Sequence, residues 1–159
     1  MPKGLADTSY LLLLIWVGIV ALGGCTDGKR SNSRSLPLDL ADRPIDPLQA
    51  SEALATVLLF VDTDCPISNR YAPALRRLYE RFAVQGVAFW LVYPDPDEAV
   101  AAIRQHVREY DYPGRVLRDT RHALVALSGV RITPSAALIA PGGQVVYSGR
   151  IDDRYVDFG

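Results

Sequence analysis

Cys65 stands where an apolar run gives way to a helical pattern, in Thr56-Val57-Leu58-Leu59-Phe60-Val61-Asp62-Thr63-Asp64-Cys65-Pro66-Ile67-Ser68. A sulfur at a helix N-terminus faces backbone N–H groups that have no partner within the helix, and also the positive end of the helix dipole. Both favour thiolate over thiol. The thiolate is the form that attacks disulfides and peroxides. Asp62 and Asp64 flank the sulfur with negative charge and oppose the dipole. The chain has one other cysteine, Cys25. If Cys25 is engaged elsewhere, Cys65 is either a buried, inert thiol or one that works with a thiol from another molecule.

The elements that must position Cys65 follow from periodicity. Residues 57–61 are continuously apolar, which predicts a buried strand. Ile67, Tyr71, Ala74, Leu75, Leu78 and Phe82 then recur at helical spacing, with Arg70, Arg76, Arg77, Glu80 and Arg81 on the opposite face. Pro66 suits the first helical turn, Asp64 suits the N-cap, and Pro73 lies inside the helix, where it predicts a kink. Residues 87–92 predict a second strand. Asp95-Pro96-Asp97-Glu98 is a helix-start signature, and Ala99, Val100, Ile103, Val107 and Tyr110 form a stripe that ends near Pro113-Gly114. A short strand at Val116-Leu117, a short helix over about residues 120–127 and a hairpin of residues 135–140 and 144–148 follow. The order is βαβα, a short βα pair, then ββ, and it predicts an α/β domain. His106 lies beside its stripe and His122 on the short helix, so both read as solvated side chains.

Ahead of this pattern, Lys3 precedes an uncharged apolar run over residues 10–22, which has the length of a secretory h-region rather than of a spanning helix. Leu22-Gly23-Gly24-Cys25 resembles the lipobox of bacterial lipoproteins, in which the cysteine is lipidated and becomes the first mature residue. The organisation expected is a lipoprotein-type signal peptide over residues 1–24, a flexible tether over 25–50 and a folded domain over 51–159. Lipid on Cys25 would leave Cys65 as the single thiol of the mature chain.

Three segments together resemble the thioredoxin fold, in its redoxin and AhpC/TSA-like, peroxiredoxin-related branch of exported thiol proteins. Asp64-Cys65-Pro66-Ile67-Ser68 sits where that family places its Cys-x-x-Cys motif, and Pro73 sits where it has a kink proline. Gly129-Val130-Arg131-Ile132-Thr133-Pro134-Ser135 looks like the loop that holds the family's cis-proline. The resemblance covers roughly residues 51 to 151. It implies a central mixed sheet of four to five strands flanked by helices. A cis Thr133–Pro134 bond would turn the backbone of Thr133 toward substrate beside the sulfur. The family fold closes with a helix after the hairpin. The short acidic segment after Gly149 is too small to supply it, so a truncated C-terminus is expected.

Two departures bear on chemistry. Ser68 replaces the resolving thiol, so it either hydrogen-bonds the thiolate or is an ordinary helix-start residue. Peroxidase relatives carry a Thr three residues before the Cys and a distant Arg. Here Asp62 has that spacing, Thr63 is one residue closer, and Arg131 is the candidate cation.

The expectation is a membrane-tethered thiol-disulfide oxidoreductase or peroxiredoxin-like antioxidant. Its site would comprise Cys65, Ser68, Thr63 and Arg131, with Thr133 and Pro134 contacting substrate and an external thiol reductant or disulfide-bearing protein as partner. The alternative is a degenerate thioredoxin-fold lipoprotein that serves as a peptide-binding or assembly module. A net charge of −1 gives no reason to expect a nucleic-acid partner. No cofactor or metal is assigned.

Overall fold

The computed structural model describes residues 36–49 and 52–154. Five strands form one mixed sheet in the order β3-β2-β1-β4-β5. β1 (Ala55–Phe60), β2 (Val87–Tyr93) and β3 (Arg115–Arg118) are parallel neighbours, while β4 (Ser135–Ile139) runs antiparallel to β1, and β5 (Val145–Gly149) antiparallel to β4. The helices are α1 (Pro66–Phe82), extended by one 3-10 turn at Ala83–Gln85, then α2 (Val100–Glu109) and α3 (Ala123–Ser128). This is the βαβα, βα, ββ order read from the pattern.

Successive side chains of a strand point to opposite faces, and β1 and β2 are apolar on both, buried toward their C-terminal ends and half-buried at their starts. Leu59, Val61, Leu91 and Tyr93 pack with Tyr71, Ala72 and Leu75 of α1 and Ile103 of α2. Leu58, Phe60, Trp90 and Val92 pack on the other face with Leu117, Leu124, Ala137 and Ile139. Leu75 is wholly buried, so truncating it to Ala would cost about 2–5 kcal/mol. That packing makes α1 a rigid carrier for the residue at its start.

Register brings the two ends of the site together. Phe60, the last residue of β1, pairs with Ser135, the first of β4. The loop leaving β1, which carries Cys65, therefore meets the loop entering β4, which carries Thr133 and Pro134. The wall beside them is α3, whose first N–H groups, from Ala123, Leu124 and Val125, donate to the buried carboxylate of Asp119 at 2.8, 2.8 and 2.9 Å.

Residues 36–48, placed in the tether by composition, lie against the domain. Leu38 exchanges backbone hydrogen bonds with Arg118 at 2.9 and 2.7 Å, and Ile45 and Leu48 pack on the second cluster. The turn between them is held by Asp39, which accepts the N–H groups of Ala41 and Arg43. Among the described residues no helix follows β5. Ala55, Val57, Leu78, Phe82, Tyr147 and Ile151 border an apolar groove of about 400 Å3 on the α1 face.

Candidate active site

Cys65 is itself the N-cap of α1. Its backbone is extended (φ −86°, ψ 107°), Pro66 opens the helix, and the Ser68 N–H donates to Cys65 Sγ at 3.5 Å. The sequence assigned the cap to Asp64. That role passes to the sulfur because Asp62 draws the loop into a turn of its own, accepting the Asp64 N–H on Oδ1 at 2.8 Å. The helix continues through Pro73 to Phe82.

The second contact of the sulfur comes from the far end of the sequence. Thr133–Pro134 is a cis peptide, as the resemblance implies, and the Cys65 thiol lies 3.8 Å from the Thr133 carbonyl. Sγ thus has a donor on one side and an acceptor on the other. As thiol it can donate to Thr133, and as thiolate it accepts from Ser68, the stronger bond when the acceptor is charged. The loop is closed by the Ser135 hydroxyl, which donates to the Ile132 carbonyl at 2.7 Å.

Ser68 is fully buried and touches the sulfur through its backbone, while its hydroxyl has no hydrogen-bond partner among the described residues. Its carbonyl accepts from the Tyr112 hydroxyl at 2.5 Å. Thr63 donates its N–H to Glu98 Oε1 at 3.0 Å. Burial pushes the Glu98 carboxyl above its ordinary range, against the pull of Thr63 and with help from Asp62 and Asp95. Glu98 Oε2 is buried without a hydrogen-bond partner among the described residues. The sequence showed Glu98 only as part of a helix start.

His106 departs from its reading as a solvated side chain. It is 4 % exposed and sits between Tyr93, whose hydroxyl lies 2.8 Å from Nδ1, and Asn69, whose Oδ1 lies 2.6 Å from Nε2. The rings of Tyr110 and Tyr112 each lie 5.1 Å from it. One turn of helix separates it from Ile103, which places both on the buried face of α2. Burial lowers its pKa, opposed by Glu109, Asp62 and Asp64. His122 is exposed, as read.

Arg131 is exposed on the loop before β4 and does not bond the sulfur. It lines, with Asp62 and Thr133, a cleft of about 530 Å3 that does not include Cys65 and is linked to it through Thr133, whose carbonyl the sulfur meets at 3.8 Å. Among the described residues, no group of three or more His, Cys, Asp or Glu side chains is placed to hold a metal, and no helix is long and apolar enough to cross a membrane. Cys25 and the run over residues 10–22 lie outside the described residues.

The sequence matches the AhpC/TSA family over residues 37–148. No curated protein matches it. Among solved structures, a hypothetical protein of Sinorhizobium meliloti superposes with a TM-score of 0.65 at 22% identity, over 74% of this chain and 67% of that one. A thioredoxin-like protein of Aeropyrum pernix gives 0.62 at 18%, over 76% and 83%. A secreted Mycobacterium tuberculosis disulfide oxidoreductase homologous to E. coli DsbE gives 0.56 at 23%, over 69% and 78%. At these identities the likeness is one of fold, and the fold is thioredoxin-like.

Proposed function

Because the chain belongs to the AhpC/TSA family, we propose that it is an exported thiol redox protein in which Cys65 is the sole exchanging thiol and a thiol from another molecule completes each cycle. The observation that carries this reading is the seat of the sulfur, between the Ser68 N–H at 3.5 Å and the Thr133 carbonyl at 3.8 Å. The helix start supports the anion, and the Thr133 backbone lies beside it. The Thr133 N–H has no partner among the described residues, so that edge can pair with an extended substrate segment.

In the first step the Cys65 thiolate gives its electron pair to one sulfur of a disulfide R–S–S–R′. The S–S bond breaks, R′–S⁻ leaves and takes up a proton, and Cys65–S–S–R remains. A second, external thiolate then attacks this mixed disulfide and releases Cys65 as thiolate. Ser68 cannot perform that attack, which is why the outside thiol is part of the proposal. Disulfide exchange is favoured over hydroperoxide reduction because Asp62 stands three residues before Cys65, the Thr63 N–H is spent on Glu98, and Arg131 makes no contact with the sulfur. The lipobox-like Leu22-Gly23-Gly24-Cys25 supports export and a lipid tether at Cys25.

Incubating the protein with a small disulfide and weighing it intact tests the chemistry. Wild type is expected to gain one adduct that an added thiol removes, and Cys65→Ser none. Failure of wild type to form an adduct would leave the thioredoxin-like domain as a binding or assembly module.

A further inference from the structure

The cleft beside Thr133 carries opposite charges that do not meet. Its apolar lining includes Phe60, Val125 and Val130. Asp62 and Asp95 follow the neighbouring parallel strands β1 and β2, while Arg131 precedes β4 on the other side of β1. Two carboxylates and a guanidinium therefore enter one cleft from opposite flanks. Each carboxylate uses Oδ1 for a turn, Asp62 accepting from Asp64 and Asp95 from Asp97, both at 2.8 Å. Neither pairs with Arg131, which makes no ion pair or hydrogen bond among the described residues. Arg43, Arg76, Arg118, Arg150 and Arg154 each face an aspartate, whereas Arg70, Arg77, Arg108 and Arg121 share with Arg131 the lack of a side-chain partner among the described residues; what sets Arg131 apart is its place in the cleft.

We infer that the cleft takes the charged end of a small zwitterionic disulfide, with its ammonium against Asp62 and Asp95, its carboxylate on Arg131, and its sulfur delivered past Thr133 to Cys65. This deepens the disulfide-exchange reading and rests on it. A ligand bearing one charge gains from one flank of the cleft and is repelled by the other. A ligand bearing both gains from each. The volume, about 530 Å3, lies within the range of small-molecule sites and suits an amino-acid-sized or short peptidyl group. The covalent step is the one already balanced, with R as the zwitterionic group.

The test is the rate of adduct formation by the full chain with four symmetric disulfides. Cystine carries both charges, cystamine only ammonium, dithiodipropionate only carboxylate, and hydroxyethyl disulfide none. Each rate is divided by that of the same disulfide with a free small thiol in solution, which removes differences in leaving group. The corrected cystine rate is expected to exceed those of both singly charged disulfides by about three- to tenfold, the scale of a few solvent-exposed charge contacts. Arg131→Gln is expected to bring the cystine-to-cystamine ratio to about one, and Asp95→Asn to lower the cystine-to-dithiodipropionate ratio. A corrected rate that is equal across all four, or highest for cystamine, overturns the inference and leaves the exchange chemistry standing. Preference for a terminally blocked peptide disulfide with flanking Lys and Glu, without preference for cystine, also overturns it and assigns the cleft to protein segments. No adduct with any disulfide takes down the exchange reading and this inference with it.

Discussion

His106 Nε2 and Asn69 Oδ1 are 2.6 Å apart, and Asn69 lies in the first turn of the helix that Cys65 caps. A carbonyl oxygen only accepts, so Nε2 carries the proton, and Nδ1 is left to accept from the Tyr93 hydroxyl at 2.8 Å. The neutral ring satisfies both neighbours. A protonated ring would turn the Tyr93 oxygen into the acceptor and take from its fully buried hydroxyl hydrogen the acceptor it has in Nδ1.

This gives a pH dependence with a definite sign. Burial depresses the folded pKa of His106 below its ordinary value of about 6.5. The stability it contributes is then complete above about pH 6.5 and is lost as pH falls through the folded pKa. His106→Gln can make both bonds and does not titrate. Denaturant unfolding across that window is expected to show a steeper loss in wild type than in His106→Gln, and parallel profiles would contradict the neutral-ring assignment.

Glu98 has the opposite sign. Its carboxyl is pushed up, chiefly by burial, so the folded state holds the proton more tightly and stability declines as pH rises from the unfolded value of about 4.3 through the folded one. Glu98→Gln retains an acceptor for the Thr63 N–H and carries no charge. Its stability relative to wild type is expected to improve between acidic and neutral pH. A constant difference across the titration would rule this out.

The unpartnered hydroxyl of Ser68 is a liability in a fully buried place. Removing a buried polar group that makes no hydrogen bond recovers its desolvation cost, on the order of 1–2 kcal/mol. Ser68→Ala is therefore expected to raise the unfolding free energy by about that amount. A loss of similar size would mean that the hydroxyl is satisfied after all.

Ser68→Cys tests the single-thiol cycle, because it restores an attacking sulfur beside Cys65. Adducts on wild type are expected to persist until a thiol is added, whereas those on Ser68→Cys should resolve unaided. Intact mass followed over time distinguishes the two, and equal lifetimes would count against the need for an outside thiol.

For the tether, mass spectrometry of the membrane fraction is expected to find a mature chain starting at a lipidated Cys25. A mature terminus elsewhere, or an unmodified Cys25, removes the lipoprotein assignment and leaves the exchange chemistry untouched.

What was legible in the sequence was local. The element order and the strand-to-helix handover at Cys65 rest on periodicity within single segments. The cis Thr133–Pro134 bond came from the resemblance. The site's remaining features depend on contacts between segments far apart in sequence. Thr63 meets Glu98 across 35 residues, His106 meets Asn69 across 37, and Cys65 meets Thr133 across 68. No apolar period marks a carboxylate that will be folded under a loop, so Glu98 read as a helix start. His106 sat one position off an apolar stripe, and its partners, Asn69 and the neighbouring tyrosines, come from other parts of the chain. Residues 36–48 have the composition of a linker, and their role comes from the unfilled edge of β3.

That edge has a consequence for how chains can aggregate. β3 and β5 are the two outer strands, and an outer strand left open is a template for another chain. Leu38 occupies the hydrogen-bonding groups of Arg118 on the β3 side, while β5 has no such cover among the described residues and exposes Val146 and Tyr147. Among the described residues the β3 rim is bridged at Arg118 alone and β5 is the longer rim without cover, so β5 is the favoured place for strand addition. Two molecules joined β5 to β5 would each bury that rim against an identical one, an isologous pairing that closes on itself rather than propagating through β5.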